Sequence, residues 1–346
     1  MEYMDATVMP EKLIRKVQLM GGSTYIVSLP KEWARKHGIK RGSIVEVRPQ
    51  PDGSLRILPG YKKPPENAVT LKAEAPHTVN SIVREITARY LAGYKLITVK
   101  YPPEKGYVFA EKIRDLASRK LMGAEILSEA DGETVIHILV NIRELPLNEV
   151  VRRMSRVSKS MLLDCVEYFE SAALTPPRVD EIISRDDLVD KLFLYGMRQL
   201  FLLLKGYLQP DEIGVKGLYE TLSYASVLKS IERVADHAAA VAHTCRDVKV
   251  DRASCKKLRC LADMAGLVAR FFEESVDVFL RRDRREAHRL LDTMPDLIAA
   301  REEKVVKSIH GLPVEAAIKM RTVLFSYRRV SDYSCDVLEA TLGLDV

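Results

Sequence analysis

Ile231–Ala242 reads IERVADHAAAVA, and Tyr327–Leu338 reads YRRVSDYSCDVL. The second is a worn copy of the first: Arg233 matches Arg329, Val234 matches Val330, and Asp236 matches Asp332. Each copy spaces two acids four residues apart, Glu232 with Asp236 and Asp332 with Asp336. Positions i and i+4 are neighbours on a helix surface, so these carboxylates line one face and repel unless a cation holds them.

Working outward, RDDLVDKL (Arg185–Leu192) pairs with REEKVVKS (Arg301–Ser308). MSRVSKSMLLDCVEYF (Met154–Phe169) pairs with MAGLVARFFEESVDVF (Met264–Phe279). Three helices therefore recur in one order, at offsets of 110, 116 and 96 residues, which is not a fixed-period solenoid. The expectation is two tandem three-helix bundles, residues 144–250 and 251–346. Copy one carries 20 more residues before its third helix, in LKGYLQPDEIGVKGLYE, where Gly206, Pro210, Gly214 and Gly217 signal a loop. Val150, Met154, Val157, Met161 and Leu162, Val166 and Phe169 recur at three and four, the stripe of a bundle helix with methionine as core filler.

The chain's 346 residues suffice for several cores, and 47% hydrophobic content is ordinary for a globular protein. No run of about 18 uncharged apolar residues is present, so no transmembrane segment is expected. MEYMDATVMPEKL lacks the basic and apolar regions of a signal peptide. The five cysteines are odd in number and scattered, which reads as reduced thiols in a cytoplasmic protein.

Residues 1–64 hold 12 Lys or Arg against 6 Asp or Glu, a surplus equal to the whole chain's net charge of +6. Within them RKVQLMGG and TYIVSLP read as strands about a glycine turn, and KEWARKHG as a short helix stopped by Gly38. Two further strands flank Pro51-Asp52-Gly53. So thin a module cannot bury a core alone and should form a homodimer. STYIVSLPKEWARKHGIKRGSIVEVRPQPDGSLRI resembles the AbrB/SpoVT family of swapped-hairpin DNA-binding domains, through its -LPK-, -GIK- and -RGS-VEV- signature. That resemblance implies double-stranded DNA as partner. The localised charge agrees and offers Arg15, Lys16, Lys31, Arg35, Lys36, Lys40 and Arg41 as phosphate contacts. The same fold also serves as a bare dimerisation or protein-contact module.

After a Pro-rich linker (Tyr61–Pro65), residues 65–143 alternate as β-α-β-α-β-β, with Asp131-Gly132 as a hairpin turn, and predict a small α/β sandwich. No phosphate-binding glycine loop or nucleophile elbow occurs in it. The patch Arg84, Glu85, Tyr90, Gly93 and Tyr94 reads as an exposed helix face whose aromatics pack on the sheet. The overall expectation is a multi-domain α+β chain: the β module, the α/β sandwich and mainly α tandem bundles.

The helical half resembles the PhoU family of phosphate-uptake regulators. Ile231–Ala238 is close to that family's E-R-I-G-D-H-A helix and Asp186–Asp190 to its D-D-x-I-D helix, and the tandem duplication agrees. The resemblance implies control of phosphate uptake through a phosphate ABC transporter or a signalling protein. It also implies iron or zinc held by Asp186, Asp187, Asp190, Glu232 and Asp236 in copy one, and by Glu302, Glu303, Asp332 and Asp336 in copy two. This chain departs from the pattern: Ala240 stands where an Asn is usual, and copy two has Arg328 for the first acid and Val306 for the last acid of the partner helix. A carboxylate–arginine ion-pair network is the alternative to metal, and for copy two the favoured one. His237 and His243 form no E-x-x-H pair of a di-iron enzyme, and no nucleophile–base arrangement is visible, so a non-enzyme is expected.

Overall fold

The computed structural model describes residues 13–49, 53–59, 68–74, 78–130, 132–171, 176–246 and 252–344. The turn residues Pro51, Asp52 and Asp131, the linker Tyr61–Pro65, and the side chains of Phe169 and Cys255 lie outside the described residues. The chain divides into two compact units, Met1–Pro65 and Glu66–Val346. The expected segments 65–143, 144–250 and 251–346 thus share one unit.

In the first unit, β1 (Gln18–Met20) and β2 (Thr24–Ile26) form one antiparallel hairpin, and β3 (Val45–Pro49) and β4 (Leu55–Pro59) form another. Gly21 and Gly22 turn the first at φ 62° and 77°, a region open to glycine. Between the hairpins lies α1 (Lys31–Lys36), entered from Pro30 and left through Gly38 at φ 64°. None of its described residues is buried. Ile14, Val17, Met20, Tyr25 and Ile44 are each more than 60% exposed, as two-stranded sheets without a second layer must leave them.

The second unit opens with a four-stranded sheet in the order β5-β6-β8-β7: β5 (Ala68–Lys72), β6 (Leu96–Lys100), β7 (Ala124–Ala130) and β8 (Glu133–Ile138). β5 and β6 are parallel, and β8 runs antiparallel to both β6 and β7. Helices α2 (Val79–Leu91) and α3 (Gly106–Arg119) pack together on the sheet. They bury Ile82, Ile86, Phe109 and Ile113 against Ile97, Val99 and Ile136. In the REITARYLAGY patch Arg84 is exposed, while Tyr90 is fully buried in this core and Tyr94 packs against it, as expected of its aromatics.

Six helices follow: α4 (Leu147–Ser171), α5 (Pro176–Leu204), α6 (Glu220–Arg246), α7 (Arg252–Arg281), α8 (Arg284–Ile309) and α9 (Val314–Leu342). Copy one is α4–α6 and copy two α7–α9. The copies do not stand apart as separate bundles: α4 packs on α7 and α6 on α9, while α5 and α8 flank the outside. One core runs from Leu147 to Leu344. On α6, Val227, Ile231, Val234, Ala235, Ala238 and Ala242 point to more than one side, and all are buried. A helix apolar on several faces must be covered on several faces. In the insertion of copy one, Gly206 and Gly214 turn left-handed, and Ile213 and Val215 tuck inward.

Candidate functional site

All seven cations expected to meet phosphate are exposed on the first unit. Among the described residues only Arg35 has an acidic partner, Glu32 at 2.8 Å, with side chains 78% and 75% exposed. Among the described residues Arg15, Lys16, Lys31, Lys36, Lys40 and Arg41 have no ion-pair partner for an anionic ligand to displace.

The acids of copy one lie on facing stretches of α5 and α6. Lys120, just beyond the end of α3, puts Nζ 2.6 Å from Asp190, and Arg119 reaches Asp187 at 3.2 Å. Lys229 donates to both oxygens of Glu232, at 2.7 and 2.8 Å. Arg233 donates to Asp236 at 3.1 Å. Asp186 is the exception: its Oδ1 is buried without a hydrogen-bond partner. Burial, then repulsion from Asp190 and Asp236, pushes its carboxyl from 3.8 up to about 7, with Lys120 opposing. Burial also works against the Lys120 ammonium, but the hydrogen bond and charge of Asp190, aided by Asp187 and Asp186, hold it above its ordinary value. Burial raises Glu232 despite Lys229.

Residues 151–245, the span of α4 to α6 that carries these acids, match the PhoU domain family. Residues 18–67 match the family described as antidote-toxin recognition MazE, bacterial antitoxin, in keeping with the swapped-hairpin resemblance of the first unit. No curated protein matches the chain.

The copy beyond the matched PhoU domain keeps the helix order but settles its charges locally. Arg329 donates to Asp332 at 2.7 Å and to Tyr333 Oη at 3.0 Å, with its guanidinium 4.7 Å from the Tyr333 ring centre. Arg328 bridges to Glu302 at 2.9 Å, and Glu303 pairs with Lys307 at 2.6 Å. Asp336 is raised by burial and by Glu339. His237 lies against Phe325 and Tyr333, at 6.5 and 5.9 Å between ring centres, and burial lowers its pKa. The donor set does not fit iron or zinc as arranged, in either copy. Among the described residues no three His, Cys, Asp or Glu side chains are disposed to hold a metal ion. Ammonium and guanidinium groups hold Asp187, Asp190, Glu232, Asp236, Glu302, Glu303 and Asp332 instead.

Several residues with a part in this region escaped the sequence reading. Arg198 of α5, 2% exposed, donates to the carbonyl oxygens of Tyr90, Gly93 and Tyr94 at the end of α2. Its guanidinium also lies 4.8 Å from the Tyr90 ring centre. Lys205 reaches the Ala92 carbonyl at 2.8 Å, and Lys191 the Ser118 carbonyl at 2.7 Å. The open carbonyls of a helix stopped at Gly93 were a legible signal, but the cation satisfying them lies over 100 residues away. Glu220, fully buried at the start of α6, takes both guanidinium nitrogens of Arg282, a residue at φ 58° in the α7–α8 turn.

Proposed function

We propose that this protein is a non-enzymatic regulator of phosphate homeostasis that binds double-stranded DNA as a homodimer through its first unit. Its PhoU domain docks on a phosphate ABC transporter or a signalling protein. The observation that carries the reading is the union in one chain of a MazE-type module, six of whose cations have no ion-pair partner among the described residues, and a PhoU domain. The coreless first unit supports dimerisation, because a second copy can cover its exposed apolar side chains.

Binding of promoter duplex, followed by fluorescence anisotropy over a salt series, tests this. Each phosphate contact adds about 0.9 to the slope of log affinity against log salt. Lys31→Ala and Lys40→Ala should each weaken binding on every sequence and lower that slope by roughly one contact's share. A chain that dimerises but binds no duplex at low salt is instead a protein-interaction adaptor, and the DNA reading is then wrong.

A further inference from the structure

The solvent side of α9 carries apolar residues where its own packing needs none. Val314, Ile318 and Phe325 are 78%, 63% and 58% exposed. At about 100° per residue the three fall within about 40° of one another, so they form one crest along the first half of the helix. Arg321 and Arg328, seven residues apart, follow the edge of this crest that faces α8, where Arg328 meets Glu302 at 2.9 Å. On the edge toward α6 the His237 ring lies 6.5 Å from that of Phe325. Arg321 is exposed and has no ion-pair partner among the described residues. Residues 314–329 hold four bases, Lys319, Arg321, Arg328 and Arg329, against Glu315 alone, a surplus of three. Exposed apolar side chains grouped within a charged rim mark a surface for association, since they contribute nothing to the fold.

The equivalent stretch of copy one, 96 residues earlier, repeats the exposed pair as Leu218 and Leu222, 43% and 80% exposed. It has Lys229 in place of Phe325, held by Glu232, and Ala225 and Glu232 in place of the two arginines. The apolar crest and the basic edge therefore come together in copy two.

We propose that the α9 crest from Val314 to Phe325 is the surface that takes the partner protein, and that the partner docks there through an acidic amphipathic helix. The inference deepens the docking half of the proposed function and rests on it. The crest is about 16 Å long, about three turns of helix, which matches the apolar anchors that an amphipathic helix presents at i, i+4 and i+7. Carboxylates beside those anchors complement Arg321 without displacing an ion pair, and fix the direction in which the helix lies.

The probe is a fluorescein-labelled helical peptide of about five turns, with leucines at i, i+4, i+7 and i+11 and glutamates on both flanks, together with a counterpart carrying lysine for every glutamate. Full-length protein should bind the glutamate peptide at least about tenfold more tightly than the lysine one, and added salt should weaken it. Ile318→Asp and Phe325→Asp should each weaken binding about tenfold or more while the melting temperature holds, because both side chains already face water. Ile318→Ser serves if the aspartate destabilises the fold. Arg321→Glu should reverse the preference between the two peptides, and Leu222→Asp should leave it unchanged. Wild type that binds neither peptide, or both alike, overturns the proposal, as does binding that survives Ile318→Asp or is lost with Leu222→Asp. So does full-length protein that scatters light as more than a dimer and becomes a dimer on Ile318→Asp, since a second copy then covers the crest. Phosphate uptake in cells separates this surface from the reading it rests on. If deleting the gene leaves uptake unchanged, the phosphate reading fails and the peptides still decide the crest. If deletion releases uptake and Ile318→Asp restores control as fully as wild type does, the phosphate reading stands and the crest is not the docking site.

Discussion

Replacing Asp186 by Asn should stabilise the protein at pH 8 and do little at about pH 3, below the carboxyl's ordinary value. The carboxyl's ordinary value of 3.8 rises to about 7 in the folded state, through burial and the charges of Asp190 and Asp236. The folded state therefore binds this proton more tightly than the unfolded chain does. Well below 3.8 the group is neutral in both states and costs nothing. As pH rises from 3.8 toward 7 the folded state must surrender a proton it prefers to keep, and stability falls; above 7 the cost is complete. At 1.36 kcal/mol per pH unit, a displacement of this size would amount to about 4 kcal/mol in a dry site. Asp186 is only partly buried, and screening by water reduces this to about 1–2 kcal/mol. Asn keeps the shape and removes the charge, while Asp190 still holds Lys120. Urea denaturation of wild type and Asp186→Asn at the two pH values measures the difference. A variant less stable than wild type at pH 8, or one that gains equally at both pH values, refutes the reasoning: Asp186 would then be needed as an anion.

Breaking the buried Glu220–Arg282 pair from one side, by Arg282→Met, should cost about 3–5 kcal/mol, because the fully buried Glu220 carboxylate loses both guanidinium hydrogen bonds where the two copies meet; a fall in the urea midpoint no larger than for an exposed pair would contradict this. Arg198→Met should free the carbonyls at the end of α2 and cost about 2–4 kcal/mol; hydrogen exchange at Tyr90–Tyr94 should quicken while α7 and α9 keep their protection. A chain beginning at Asn67 should stay folded on its own core yet scatter light as a monomer, and a persistent dimer would place the interface in the helices.

The helical repeat was legible because apolar residues at three and four, and acids at i and i+4, are local signals that about 3.6 residues per turn impose on any bundle helix. The α/β order was legible through alternation and glycine stops, and the thin amino-terminal module through its localised charge. Local pattern does not say what stands opposite a side chain. The acids of α5 read equally as metal ligands or as ion-pair partners, because their partners Lys120 and Arg119 lie some 70 residues earlier in the chain, whereas those of α6 meet Lys229 and Arg233 of their own helix. Arg198 looked like an ordinary helix residue until the end of α2 was set beneath it. The two copies looked like separate bundles until α4 met α7 and α6 met α9 across one core. Sequence alone determined which segments are helices and strands and which faces are apolar or charged. Only the tertiary structure decided which charges Asp187, Asp190 and Glu302 meet, since electrostatic partnership depends on distance in space, and folding brings remote segments within a hydrogen bond's length.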